Sequence, residues 1–168
     1  VGTGVGVGVI IGGKPYHGMI HPEGGHIFVH RRPDDPMAKG ICPYHGNCLE
    51  GLASGPAIER RWGRKGAELS DCLAVWELEA FYIGQAICTY ICTLSPERIV
   101  VGGGVMHQEQ MLPMIRQEVR RQMHGYIQGK GMDKLEEYIV PVSLGDNQGV
   151  MGGVKLAMDA YIEEGGTL

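Results

Sequence analysis

Cys42, His45 and Cys48 place two thiols and an imidazole within seven residues. At the spacing Cys-x2-His-x2-Cys a chain can turn around one ion. Zinc accepts thiolate and imidazole in a tetrahedral shell, and a structural site takes four protein ligands. The fourth must come from outside the triplet. His26, which ends Glu23-Gly24-Gly25-His26, is the best placed, with His30 and His21 as rivals. A surface loop that merely contains Cys and His is the plain alternative. Three ligands in a loop rich in Gly and Pro favour the metal. A fourth side chain closes the shell, so this zinc is structural and not catalytic. A nucleic-acid zinc finger would need a second ligand pair and a basic surface. Neither is present, and the net charge is -4.

Two acids flank the metal segment. Glu23 precedes His26 by three residues, and Glu50 follows Cys48 by two. A metal that ties down both ends of the loop holds these carboxylates on the same scaffold. Fixed carboxylates accept hydrogen bonds from the hydroxyls of a sugar. Surface charge is the ordinary fate of glutamate and the competing reading.

Two glycine-rich stretches offer bare backbone. Gly2-Thr3-Gly4-Val5-Gly6-Val7-Gly8 presents N–H groups and one hydroxyl with little side-chain bulk, which suits a phosphate. It lacks the Lys-Ser/Thr of a Walker loop and the helix of a dinucleotide fingerprint, so a glycine-rich strand competes. Gly102-Gly103-Gly104 follows the apolar run Ile99-Val100-Val101 and precedes a helix. Ligands of open α/β sheets bind at such strand ends.

The elements that must position these groups follow from patterning. Val1–Ile11, Lys14–Met19 and Ile27–Val29 read as a β meander with a turn at Gly12-Gly13. Residues 31–48 read as a long loop that a metal would justify. Ser54 caps a helix with Pro56 in its first turn, ending near Trp62-Gly63. Ser70 or Asp71 caps a longer helix to Leu94 whose apolar residues run nearly all round, marking it as buried; a dimer interface is the lesser reading. Arg98–Val101 and Tyr138–Val142 read as strands, Glu109–His124 as a helix, and Asp146 as the cap of a last helix over 148–163. This order predicts an α/β domain with a mixed sheet.

The 168 residues suffice for one core, and 43% apolar with 20% charged content is ordinary for a globular chain. The acidic balance excludes nonspecific nucleic-acid or acidic-membrane binding, and no apolar run spans a bilayer. Five cysteines, an odd count, make poor disulfide material and point to a reducing, cytoplasmic setting. The chain opens on Val1 inside a glycine-rich strand, which leads us to expect further sequence upstream.

Together these segments resemble the ROK family of sugar kinases. Gly2-Thr3-Gly4-Val5-Gly6 resembles the phosphate motif that opens the family's second lobe. Glu23-Gly24-Gly25-His26 fits Glu-x-Gly-His, and Cys48-Leu49-Glu50 fits Cys-Leu-Glu. Val101–Val105 resembles the adenosine-side motif, and Leu144-Gly145-Asp146-Asn147-Gln148-Gly149 the C-terminal turn. His45 stands where most of the family has cysteine. The stretch from His21 through Asn47-Cys48 to Glu59 resembles the fructokinase branch.

The resemblance implies an actin-like, ribonuclease-H-like lobe and phosphoryl transfer from ATP, with Mg2+, to a hexose, fructose above all. It implies that Glu23, His26 and Glu50 hold the sugar and that His26 also ligates zinc. Gly2, Thr3 and Gly4 would face the phosphates. Gly102, Gly103, Gly104, Val105 and Met106 would border the nucleotide, with Pro56 nearby. It further implies that residues 1–168 are a C-terminal lobe with a zinc loop over 26–48, from a protein that forms homodimers. The family's general-base aspartate belongs to the first lobe, which this chain lacks, so the chain alone is expected to be inactive. A sugar-sensing ROK regulator and a zinc-stabilised binding module without catalysis are the alternatives.

Overall fold

The computed structural model describes residues 1–167, except the side chains of Lys130 and Asp146. Its strands are short. β1 (Ile10–Ile11) and β2 (Lys14–Pro15) form an antiparallel hairpin, and β3 (Ile99–Val101) and β4 (Ile139–Pro141) pair in parallel. Both strand orientations occur, but in two separate two-stranded pieces instead of one mixed sheet. The meander is correspondingly reduced. Val1–Val9 and Tyr16–Met19 are irregular, and Ile27–Val29 contributes only an isolated bridge from Phe28 to Cys48. Glycine at alternate positions strips one face of the cross-strand side-chain pairs that help hold a ladder together, which is a physical reason for the loss.

The helices follow the sequence signals more closely. A short helix, α1 (Leu49–Ala53), escaped them because it is a single turn or so. α2 (Gly55–Trp62) starts as read: Ser54 Oγ accepts from Ala57 N at 3.4 Å. It ends at Gly63 with φ 68°, the left-handed conformation in which glycine carries no Cβ penalty. α3 spans Leu73–Leu94. Neither Ser70 nor Asp71 caps it; Cys72 occupies that position without a side-chain bond. α4 (Met111–Met123) begins two residues later than expected, because a 3-10 turn over Gly104–His107 intervenes. α5 (Leu135–Tyr138) leads into β4, and α6 (Gln148–Glu163) closes the chain. Asn147 is the residue before α6, and the expected Asp146 side-chain cap lies outside the described residues.

The core is built on α3. Val75, Trp76, Leu78, Tyr82, Ile83, Ile87 and Ile91 are buried within the chain itself, so this helix is core and not a free interface. It meets Met111, Ile115, Val119 and Met123 of α4 in one cluster that also takes in Leu52, Ile58 and Ile139. Gly84 sets the approach of the two helices: a Cβ there would lie 2.9 Å from Glu118 Cβ. Each fully buried aliphatic side chain contributes about 1.5–3 kcal/mol. α6, in contrast, has no buried residue. No helix among the described residues is long and apolar enough to cross a membrane.

Candidate metal centre and sugar site

The loop 31–48 folds back on itself so that its two cysteines meet. Gly46 N donates to Cys42 O at 2.9 Å, and Gly46 takes φ 62° to make the turn. A Cβ at Gly51 would lie 2.0 Å from Gly46 O, so α1 can sit against this turn only through a glycine. Cys48 immediately precedes α1, and its Sγ accepts from Gly51 N at 3.4 Å. Thus one thiol caps the helix that carries Glu50.

His26, Cys42, His45 and Cys48 converge, with one ligand atom from each lying within 4.8 Å of every other. His26 Nδ1 is 3.8 Å from Cys42 Sγ and 3.6 Å from Cys48 Sγ, and His45 Nδ1 is 3.7 Å from Cys42 Sγ. Zn–S near 2.3 Å and Zn–N near 2.0–2.1 Å in a tetrahedron give S···N edges of roughly 3.5 Å. The donor set and its spacing therefore fit a closed tetrahedral site. Of the three histidines weighed for the fourth position, His26 is the one that joins the cluster. His21 pairs instead with Glu23 at 2.7 Å, and the backbone of His30 bonds to Gln85.

The two thiols differ electrostatically. Burial pushes the Cys42 thiol up, but the N–H groups of His45 and Tyr44 and the side chains of Cys48 and His45 outweigh it, bringing Cys42 down to about 6. Burial raises Cys48, and the neighbouring Cys42 and Glu50 add to the rise. The pair thus favours one thiolate and one thiol; a bound dication reverses that by deprotonating the second.

Glu50 faces two ways. Its Oε1 lies 3.8 Å from His26 Nε2, and its Oε2 accepts from Val5 N at 3.0 Å. A Cβ at Gly4 would come within 2.7 Å of Oε2. The same carboxylate therefore touches the imidazole of the metal cluster and the glycine-rich opening segment. Glu23 stands three residues before His26, exposed, its carboxylate turned to His21 and not to His26 or Glu50.

The glycine segments also converge. Gly2 N donates to Gly4 O at 2.9 Å, making a tight turn with Thr3 exposed at its tip. Gly55 N donates to Gly2 O at 2.8 Å, which brings exposed Pro56 beside that turn. Val105 N donates to Val1 O at 3.1 Å, and a Cβ at Gly103 would lie 2.5 Å from the same oxygen. Gly103 has φ 98°, a further reason for glycine. Beyond this turn, at the carboxyl ends of β3 and β4, opens a cavity of 350 Å³. Gly102, Gly103 and Met106 line it, while exposed Gly104 and buried Val105 do not. Gln148 of the C-terminal turn also lines it, as do Leu112 and Val142, single apolar residues at element ends that carry no signal sequence reasoning could have used.

A parallel strand pair, a His/Cys cluster and converging glycine turns are arranged here on the actin-like ATPase fold of ROK sugar kinases. The chain belongs to the ROK family, whose pattern it matches over residues 1–160. It is 46% identical over 162 residues to a fructokinase of Zymomonas mobilis, covering 95% of this chain and 53% of that protein. It is 42% identical over 160 residues to a fructokinase of Pediococcus pentosaceus, covering 95% and 54%. The crystal structure of a ROK family glucokinase from Streptomyces griseus, in complex with glucose and AMPPNP, superposes with a TM-score of 0.70 at 26% identity. That match covers 93% of this chain and 58% of the glucokinase. The chain thus spans about half the length of the curated relatives it matches.

Proposed function

We propose that this chain is the C-terminal lobe of an ATP-dependent sugar kinase that phosphorylates fructose. The observation that carries the proposal is Glu50, whose carboxylate reaches both His26 of the metal cluster and Val5 of the glycine-rich turn. A sugar held by Glu50, His26 and Glu23 would lie next to the backbone that receives phosphate, which is the juxtaposition phosphoryl transfer needs. The likeness to fructokinases supports fructose over other hexoses. ATP with Mg2+ would sit across Gly2–Gly4 and the cavity bordered by Gly102–Met106, with Pro56 at its edge.

Zinc is the metal we assign to His26, Cys42, His45 and Cys48. Four protein ligands leave it no open position, so it holds the loop and the His26 ring and takes no part in the chemistry. The general base belongs to a first lobe preceding Val1. A base contributes about 10²–10⁴-fold to rate, so this chain alone should not turn over. The parent protein is read as a homodimer acting in the cytoplasm.

The test is a coupled phosphorylation assay on the parent protein with MgATP and fructose, mannose or glucose, beside the 168-residue chain. Turnover by the parent with fructose preferred, and none by the chain, is the expected result. A parent protein that binds sugar without consuming ATP would replace the kinase with a sugar-sensing member of the family.

A further inference from the structure

A buried charge cluster lies behind the metal loop and takes no part in the sites above. Asp35, in the loop, and Glu79, on α3, have no exposed side-chain surface, and Arg61 of α2 lies between them equally buried. Each of the three Arg61 nitrogens donates. Nε donates to Asp35 Oδ1 at 2.9 Å, Nη1 to Glu79 Oε1 at 3.0 Å, and Nη2 to Leu52 O at 2.7 Å. Asp35 is completed by Tyr82 Oη–H at 2.6 Å and by Met37 N at 2.7 Å. Arg31 Nη1 reaches Asp35 O from within the loop at 2.9 Å.

The two residues gripped on either side of the metal ligands decide what this cluster does. Asp35 precedes Cys42, and Leu52 follows Cys48 and Glu50 in α1. One guanidinium therefore closes the base of the segment whose tip carries three ligands. We propose that Arg61 is a positioning residue, a clasp that closes residues 35–52 at their base and so presets Cys42, His45, Cys48 and Glu50 for metal and sugar.

The physical argument is preorganisation. A loop already closed at its base has less conformational freedom to lose when the ion binds its tip. Arginine suits this point because its planar fork sets five N–H donors on three nitrogens in fixed directions, whereas the three donors of lysine share one nitrogen. The arrangement is also costly as plain structure. Buried charges are weak stabilisers, and apolar residues of the same volume often match or exceed them. A carboxyl surplus over one guanidinium, with Glu79 Oε2 buried and unpartnered, fits a device that holds geometry more readily than one that maximises stability.

The inference rests on the metal reading, and the experiment separates the two. Zinc affinity of the chain would be measured by chelator competition for wild type, Arg61→Lys and Arg61→Met, together with the visible spectrum of the Co2+ form. Tyr138→Phe is the control: it removes a bond to Pro96 O at 2.9 Å, far from the loop in sequence. We expect a fall of about tenfold or more in zinc affinity for both Arg61 variants, the range found when groups that orient metal ligands are removed. We also expect an altered Co2+ spectrum, and hydrogen exchange that speeds up over 35–52 while α3 amides stay protected. Tyr138→Phe should lower thermal stability without moving zinc affinity. Equal zinc affinity and an unchanged Co2+ spectrum in folded Arg61→Lys would overturn the clasp and leave the metal site standing. A wild-type chain that binds no zinc would remove both. Should Arg61→Met fail to fold, Arg61→Lys alone decides.

Discussion

The half of the molecule around the metal loop and the half built on α3 and α4 are held together by different physics. Around the loop, residues 1–53 form little regular structure: two strands of two residues each, a 3-10 turn over Gly24–His26 and one α-helix of five residues. Their order comes from polar devices, namely the converging side chains of His26, Cys42, His45 and Cys48, the reach of Glu50, and the buried Asp35–Arg61–Glu79 cluster. The α3–α4 half is the reverse. Its helices of 22 and 13 residues interlock through apolar side chains, with Gly84 letting the two helices come close. A segment without apolar periodicity can be as well defined as a helical core, provided that directional bonds replace area.

The sharpest way to break this comparison is to remove a ligand. Cys48→Ser, at a fully buried thiol that also caps α1, should abolish stoichiometric zinc, measured by elemental analysis of the purified chain. Retained zinc would mean that the loop is organised without the metal. Next in size, Ile115→Ala on α4 should cost about 2–5 kcal/mol in urea unfolding through a core cavity. Its zinc content should not change; if zinc is lost as well, the two halves are not separable.

Glu79 sits where the halves meet, and its pH behaviour sharpens the division. Burial pushes its carboxyl up to about 8 despite Arg61, with Asp35 adding to the rise. The unfolded chain releases this proton near the ordinary glutamate value of roughly 4.3, whereas the folded chain keeps it until about 8. Below both values each state is protonated and no penalty exists. As pH rises between them only the unfolded state ionises, so stability falls, and it levels off above the folded value. Glu79→Gln should flatten a plot of melting temperature against pH from 5 to 9. A plot with the same slope in the variant would assign the pH dependence to other groups. The smallest effect is expected at Ser54→Ala, about 0.5–2 kcal/mol for a lost cap, at the lower end given a 3.4 Å bond. Thermal unfolding of the two chains would measure it, and a shift larger than that of Ile115→Ala would invert the ranking of the two regions.

Much of the site was legible in the order of residues. Cys-x2-His-x2-Cys points to side chains that meet, because spacing within one loop is a local property, and the same holds for the Ser54 cap and the burial of α3. Glu79 was a signal left unread: a carboxylate among Leu78, Ala80 and Tyr82 in an apolar helix calls for a buried partner. What the chain alone could not reveal is which distant groups meet. Nothing local selects His26 over His21 and His30. Nothing local says that Glu50 bonds to Val5, 45 residues earlier, or that Arg61 joins Asp35, Leu52 and Glu79. Periodicity also overstated the strands, because alternation of Gly with Val marks an extended chain but leaves one face without side chains to pair across it. Those matters were decided by the tertiary structure, since contacts between residues far apart in sequence depend on how whole elements pack. Ligand spacing, helix periodicity and the Ser54 cap depend only on neighbours, and so the sequence by itself determined them, whereas the cap read at Ser70 or Asp71 did not form.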